Sequence, residues 1–269
     1  MTAFDIVTVT HDSAPELTRL LESIARHAPE AHVIVVDTAS TDDGPERARE
    51  WAAEVVELGS NPGFGAANNE GLAHAAHDVT ALLNPDVELL DAGLLTLVER
   101  SRDTNALLAP RLLDADGSIQ DSAHPVPGTW SEVRRALIPP RLARPPWRTD
   151  AHTTVGWATA AALVARTSEL RRLGPFDPKA FLWYEDMDLC LRAEAVEYHP
   201  DVVLRHTGGH STGEDFQQRA TRRREVIEAR LGERARRRDD LAQAITFARA
   251  AAFKRRPRAQ LRALIRARG

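Results

Sequence analysis

The sequence predicts an α/β protein with a mostly parallel central sheet flanked by helices, followed by a basic helical C-terminal extension. Three observations carry that expectation. Short apolar strands alternate with amphipathic helical runs from Phe4 to Leu83, polar clusters recur at the carboxyl ends of those strands, and the charge changes sign near residue 212.

Residues 4–10, FDIVTVT, alternate in polarity and are rich in β-branched side chains, the pattern of a strand. His11 to Pro15 turn the chain into an amphipathic helix over 17–24. Residues 33–36 form a four-residue apolar strand ending at Asp37, and TASTDDG leads from it into a second helix over 45–53. A third strand over 55–58, the tight loop Asn61-Pro62-Gly63-Phe64-Gly65 and a helix over 66–76 repeat the unit. A fourth strand, 79–83, closes on Asn84-Pro85-Asp86. Residues 107–122 suggest a β-hairpin turning at Asp116-Gly117. Residues 125–146 are proline-rich and read as an irregular segment over the site. Residues 155–165 combine small side chains with a strand whose start, Gly156-Trp157, suits the wall of a cleft.

In open α/β sheets ligands lie beyond the carboxyl ends of the strands. The polar clusters 10–13, 37–42 and 84–86 all fall there, so one crevice would collect them. The first βα turn, Thr10-His11-Asp12-Ser13, has no glycine, and neither G-x-G-x-x-G nor G-x-x-x-x-G-K-[ST] occurs in the required place. That argues against a nicotinamide dehydrogenase and a P-loop NTPase. A nucleotide would instead be held by its base and ribose through side chains such as Asp37, and its diphosphate would need a cation, for which Asp86 is the natural candidate. Further along, FLWYEDMDLCLR (181–192) sets Glu185, Asp186 and Asp188 behind an aromatic cluster. Locally these acids are either the first turn of a helix, where the dipole favours negative charge, or a general base tuned by burial.

At 269 residues and 43% hydrophobic content the chain can bury a proper core. No apolar run approaches the ~20 residues that cross a bilayer, and no signal peptide precedes the first strand, so a cytoplasmic protein is expected. Cys190, the one cysteine, excludes an internal disulfide and a cysteine-rich zinc site and reads as a small buried residue. Residues 213–269 carry 17 Lys and Arg against 7 Asp and Glu, a net of +10, which leaves −14 for residues 1–212. Such a tail meets an anionic partner, a membrane surface before nucleic acid, because the preceding part is acidic and holds no nucleic-acid recognition motif. Within it 260–268, QLRALIRAR, places Leu261, Leu264 and Ile265 at helical spacing among arginines, the pattern of a self-packing helix or of one lying on anionic lipid.

Taken in order, VTVTHDS, VVDTASTDDG, NPGFGAANNEGL, LLNPDVEL, GWATAAALVARTSELRRLGPFDPKAFLWYEDMDLCLR and RHTGGHS resemble the family 2 inverting glycosyltransferases of the GT-A fold, and within them the rhamnosyltransferase-like branch. The resemblance covers roughly residues 3–212. It implies that Thr10, Asp12 and Asp37 contact the nucleotide, that Asn61, Gly63 and Asn68 line the sugar-nucleotide cleft together with Asn84 and Trp157, that Asp86 and His206 hold Mg²⁺ or Mn²⁺, and that Asp186, beside Glu185, is the base. The donor is then dTDP-rhamnose or a UDP-sugar, and the acceptor a glycan or lipid-linked saccharide. The expected division is a catalytic domain over 1–212 and an extension over 213–269, peripheral on the inner face of the cell membrane. Thr38 and Asn84 stand where relatives usually have Asn and Asp, Asp12 also departs from the usual pattern, and 193–198 form a shorter connection than usual. A catalytically degenerate nucleotide-sugar-binding scaffold is the competing expectation. A nucleotidyltransferase would want a basic, glycine-rich loop near residue 12, which is absent.

Overall fold

The computed structural model describes residues 3–138, 146–174, 176–177, 183–208 and 216–251. The strands are β1 (Phe4–Thr10), β2 (Ala31–Asp37), β3 (Glu54–Glu57), β4 (Val79–Leu83), β5 (Val87–Leu89), β6 (Leu107–Leu113), β7 (Ala123–His124), β8 (Thr153–Val155), β9 (Trp157–Ala158), β10 (Ala162–Arg166) and β11 (Val196–His206). The helices are α1 (Ala14–His27), α2 (Gly44–Glu50), α3 (Phe64–His74), α4 (Gly93–Ser101), α5 (Trp130–Leu137), α6 (Thr167–Arg172), α7 (Glu185–Arg192), α8 (Phe216–Leu231) and α9 (Glu233–Ala251).

The main sheet runs β3-β2-β1-β4-β10-β6-β11-β5, and its first four strands are parallel. β10 enters antiparallel between β4 and β6. β11 runs parallel to β6, while its start pairs with β8 and its end with β5. Its register shifts between His199 and Val203, where Pro200 lacks the N–H a regular ladder needs. Successive residues feed opposite cores, as a two-residue period requires. Ile6 and Ala81 join Leu20, Ile24 and Leu97 on the α1 and α4 face. Val7 and Leu82 join Ala67, Leu72 and Met187 on the α3 and α7 face. The expected α/β fold with helices on both sheet faces is therefore present.

α1 follows from Leu17, Leu20, Leu21 and Ile24 on one buried face, with proline in its first turn. Its first N–H groups are not capped by Ser13; the Ala14 N–H donates to Asp42 from the next βα loop at 2.8 Å. One expectation fails outright. The stretch read as irregular over 125–146 contains α5, N-capped by Thr129, whose hydroxyl accepts the Glu132 N–H, while Glu132 accepts the Gly128 N–H at 2.7 Å. This arrangement is a variant of the capping box in which the acid reaches the residue before the cap, and it outweighs the flanking prolines. The expected hairpin is reduced to its turn: Gly117 has φ 81°, and only Ile119 bridges back to Leu113.

The expected boundary at 212/213 lies outside the described residues, as do Leu182 and 260–268. Beyond that boundary, α8 and α9 pack on α7 and α5 respectively. Val226, Ile227 and Ala235 join the core cluster of Met187, Leu189 and Tyr198. Arg230 grips Asp188 through two nitrogens at 2.7 and 3.2 Å, and Arg223 grips Asp239 at 2.9 and 2.6 Å. Among the described residues no helix is long and apolar enough to cross a membrane.

Candidate active site

The carboxyl ends of β1, β2 and β4 converge. Thr10 is wholly buried; its hydroxyl meets Ser13 at 2.9 Å and its carbonyl receives both the N–H and the hydroxyl of Thr38. Thr38 thus ties β1 to the loop after β2. Asp37, 5% exposed, accepts the Ser40 N–H. Asp12 is exposed, has φ 47°, and accepts both donors of Thr41, the backbone N–H at 2.6 Å. These bonds hold its carboxyl below the usual carboxylate range. On the neighbouring loop the Asn61 side chain accepts the Gly63 N–H at 3.0 Å, and Gly63 has φ 97°, a conformation a side chain would resist. Asn68 is buried and donates to the Phe64 carbonyl.

Asp86 and His206, far apart in the chain, meet at 3.2 Å between Oδ1 and Nε2. The histidine tautomer follows from its other neighbour. The Gln120 amide donates from Nε2 to Asp114 at 2.8 Å, so its Oε1 faces His206 Nδ1, also at 2.8 Å, and Nδ1 must carry a proton. His206 Nε2 faces the Asp86 carboxylate and, at 3.4 Å, the Asn84 amide nitrogen, so its lone pair and the carboxylate converge where a cation would satisfy both. Burial pushes the Asp86 carboxyl up, but His206 outweighs it and holds the group below its ordinary value. Asn84 Oδ1 is buried beside them with no partner among the described residues. A carboxylate, an imidazole nitrogen supported from behind, and an orphaned carbonyl fit a hard divalent cation. The short connection after α7 leaves this pair intact.

The Asn84 N–H donates to the Ala161 carbonyl at 2.9 Å, and the Ala160 N–H reaches Asp186. The β9–β10 loop therefore stands between the Asp86–His206 pair and the acids of α7. Trp183 and Tyr184, both at positive φ (83° and 59°), set the entry to α7, a strained conformation of the kind that functional sites retain. Burial pushes both Glu185 and Asp186 up. Asp186 is drawn back by the N–H groups of Met187, Ala160 and its own residue, whereas Glu185 Oε2 is buried without a partner. Asp186 is thus the acid that ionises first. Asp188 is different: Arg192 and Arg230 both engage it, which makes it the anchor of α8.

Beyond Asp186 a cavity of about 840 Å³ opens between α5, α8 and α9, and Trp157 belongs to its wall. Trp157 stacks on His124 with centroids 3.9 Å apart and meets the Tyr184 edge at 6.2 Å. Gly156 makes this wall possible, since a Cβ there would lie 2.0 Å from the Val126 nitrogen. The structure thus brings Asp86, His206 and Asn84 together, sets Glu185 and Asp186 across the loop from them, and puts Trp157 on the far side. Sequence reasoning missed Gln120 and the arginines of α8 and α9; a glutamine in a turn-rich stretch carries no signal of its partner 86 residues away. Two further carboxylate–histidine groupings lie elsewhere. Asp5, at the opposite end of β1, is satisfied by the His32 and His77 rings and by two backbone N–H groups. In the other, Arg100 already occupies the place of a cation between His199 and Asp201.

Residues 5–151 match the family described as Glycosyl transferase family 2. The chain is 30% identical over 239 residues to an N-acetylglucosaminyl-diphospho-decaprenol L-rhamnosyltransferase of Mycobacterium tuberculosis, covering 78% of each chain. It is 25% identical over 226 residues to rhamnosyltransferase WbbL of Escherichia coli, covering 78% of this chain and 86% of the other. Among solved structures, a mannosyltransferase of Pyrobaculum calidifontis in complex with GDP-Man and Mn²⁺ superposes with a TM-score of 0.58 at 17% identity, covering 98% of this chain and 85% of that one.

Proposed function

Because this chain belongs to glycosyl transferase family 2 and is a glycosyltransferase, we propose that it moves rhamnose from dTDP, or a sugar from another nucleoside diphosphate such as UDP, to a hydroxyl of a saccharide linked through diphosphate to a lipid. The reaction is a single displacement with inversion, in the assembly of a cell-wall or surface polysaccharide. The two relatives named as rhamnosyltransferases support the sugar, and the name of the Mycobacterium tuberculosis one supports the acceptor class. The observation that carries the mechanism is the loop at Ala160 and Ala161, with Asp186 on one side and the Asp86–His206 pair on the other.

In this arrangement Asp37 and the loop it braces hold the nucleotide, and Asn61, Gly63 and Asn68 shape the sugar-nucleotide cleft. Asp186 takes the proton of the acceptor hydroxyl as its oxygen bonds to the anomeric carbon. The bond from that carbon to the diphosphate oxygen breaks, and its electron pair leaves with the diphosphate. Asp86, His206 and Asn84 would hold Mg²⁺ or Mn²⁺, which supplies charge neutralisation at the leaving diphosphate. Glu185, which retains its proton longer, keeps a second negative charge away from Asp186.

We place the protein peripherally on the inner face of the cell membrane, supported by the net +10 of residues 213–269 and by the proposed lipid acceptor. The test of function is incubation with dTDP-rhamnose or UDP-sugars, Mg²⁺ or Mn²⁺, and a short-chain prenyl-diphospho-N-acetylglucosamine. Product of opposite anomeric configuration to the donor is expected; a product of retained configuration, or donor binding with no transfer to any such acceptor, would overturn the reading.

A further inference from the structure

The cavity beyond Asp186 is strongly unbalanced in charge. Five guanidinium groups, from Arg135, Arg148, Arg219, Arg223 and Arg249, line it against two carboxyls, Asp121 and Glu132. Even with both acids ionised the lining keeps a surplus of three positive charges. Burial pushes both of those acids up, Asp121 to about 6, which deepens the surplus towards acid pH. Arg223 is engaged by Asp239 and Arg249 by the carbonyls of α5. Arg135 and Arg148, by contrast, form no ion pair or hydrogen bond among the described residues. Arg219 lies over the Trp183 ring at 4.1 Å and acts electrostatically on Asp186.

The position of the cavity gives this charge a meaning. Thr159 and Tyr184 line it, and they immediately precede Ala160, whose N–H holds Asp186, and Glu185. One end of the cavity therefore opens at the base. Trp147 and Trp157 offer flat apolar faces within it, and Ile138, 42% exposed, continues the lining outward beside the exposed Leu137. One cavity thus joins the neighbours of the proton acceptor, two aromatic faces, guanidinium groups and an exposed apolar rim. A sugar with a free hydroxyl, a diphosphate and a hydrocarbon chain presents complementary chemistries, and planar guanidinium forks match phosphate oxygens bidentately.

We propose that this cavity is the acceptor site, and that Arg135 and Arg148, with Arg219, hold the diphosphate of a lipid-diphospho-saccharide whose sugar faces Asp186. This rests on the transfer reaction given above and adds to it a site for the acceptor's charge, separate from the Asp86–His206 pair where the donor's diphosphate belongs. The C-terminal helices α8 and α9 then form part of the substrate site.

The test separates the two diphosphates. Calorimetric titration of the full chain with farnesyl diphosphate should show binding that the Arg135→Gln/Arg148→Gln double variant weakens at least tenfold, while dTDP affinity in the presence of Mn²⁺ stays within twofold. Since these two arginines make no ion pair among the described residues, the variant should keep the wild-type Tm, and the exposed Arg148→Gln alone provides a milder version should the double variant not fold. In transfer assays the double variant should raise KM for a prenyl-diphospho-saccharide at least tenfold with little change in kcat, and leave KM for a neutral alkyl glycoside unaltered. Equal farnesyl diphosphate binding by wild type and variant, equal loss of dTDP binding, or equal KM changes for charged and neutral acceptors would overturn the proposal. Arginine-dependent binding of farnesyl diphosphate by a protein that transfers no sugar would retain the site and overturn the reaction; normal transfer with an unmoved KM would do the reverse.

Discussion

Asp186→Asn isolates the proton-transfer step because the substitution keeps the side chain's shape. In the native protein Asp186 receives the N–H of Met187 at 2.7 Å and that of Ala160. An asparagine carbonyl can keep one of these bonds, while its amide nitrogen would face the other donor, a loss worth about 1 kcal/mol. Against that, a carboxylate whose ionisation burial already opposes has been removed, which returns part of the loss. The fold should therefore change by no more than about 1 kcal/mol, or ~2–4 °C in Tm for a domain of this size. The chemical step loses its base, worth about 10²–10⁴ in rate, which is ~2.7–5.4 kcal/mol of barrier. Initial rates of sugar transfer, donor Kd and Tm measured on the same preparation check all three quantities. The wild-type rate should also fall as pH drops through the raised value of Asp186, since only the ionised carboxylate accepts a proton, and this acid limb should vanish in the variant. Transfer within tenfold of wild type, or a donor Kd that weakens in step with the rate, would refute the assignment; a dead Glu185→Gln beside an active Asp186→Asn would move the role to Glu185.

Asp86→Ala should abolish Mn²⁺-dependent nucleoside diphosphate binding and leave Tm nearly unchanged, since Asp86 ends a loop outside the core; calorimetry with and without Mn²⁺ decides it, and unchanged affinity counts against the cation site. Asp5 links acid stability to the far end of the sheet: burial raises its carboxyl, but the His77 and His32 bonds outweigh it and lower the group. Its contribution is present above the unfolded value of about 4 and lost as pH falls through the lower folded value. The Tm difference between wild type and Asp5→Asn should then be largest near neutrality and shrink below pH ~4, and a difference constant with pH would show that the carboxylate charge is irrelevant. Gly156→Ala should destabilise the protein by about 1–3 kcal/mol in urea unfolding, because the new methyl must displace the Val126 backbone; unaltered stability would mean that β9 and the 125–126 segment separate freely.

Much of the fold was readable where a strand or helix carries its own period. β1 and β4 match the boundaries expected from FDIVTVT and VTALL, and the α1 stripe is plain in Leu17, Leu20, Leu21 and Ile24. Candidates for the site were readable where a residue type has a chemistry to declare, as with Asp86, Asp186 and His206. Illegible were the features decided by distant neighbours. Nothing local says that Asp188 faces two arginines while Asp186, two residues earlier, faces backbone donors. Nothing local distinguishes Gln120 from any turn glutamine, although Asp114 and His206 fix both ends of its amide. α5 was legible in principle: Thr129-Trp130-Ser131-Glu132 is a capping-box sequence, masked by prolines on either side.

The grip of Arg230 on Asp188 bears on how this chain can vary over evolutionary time. α8 is fastened two residues from Asp186, on the same short helix that carries the proposed base. A lineage could not exchange its C-terminal helices for another pair, as it might an appended module, without shifting α7 and the proposed proton acceptor with them. If the cavity is the acceptor site as proposed, new acceptor preferences would arise by point changes within its lining, at positions such as Arg148 that make no ion pair or hydrogen bond among the described residues, and the helices themselves would travel with the catalytic half as one inherited unit.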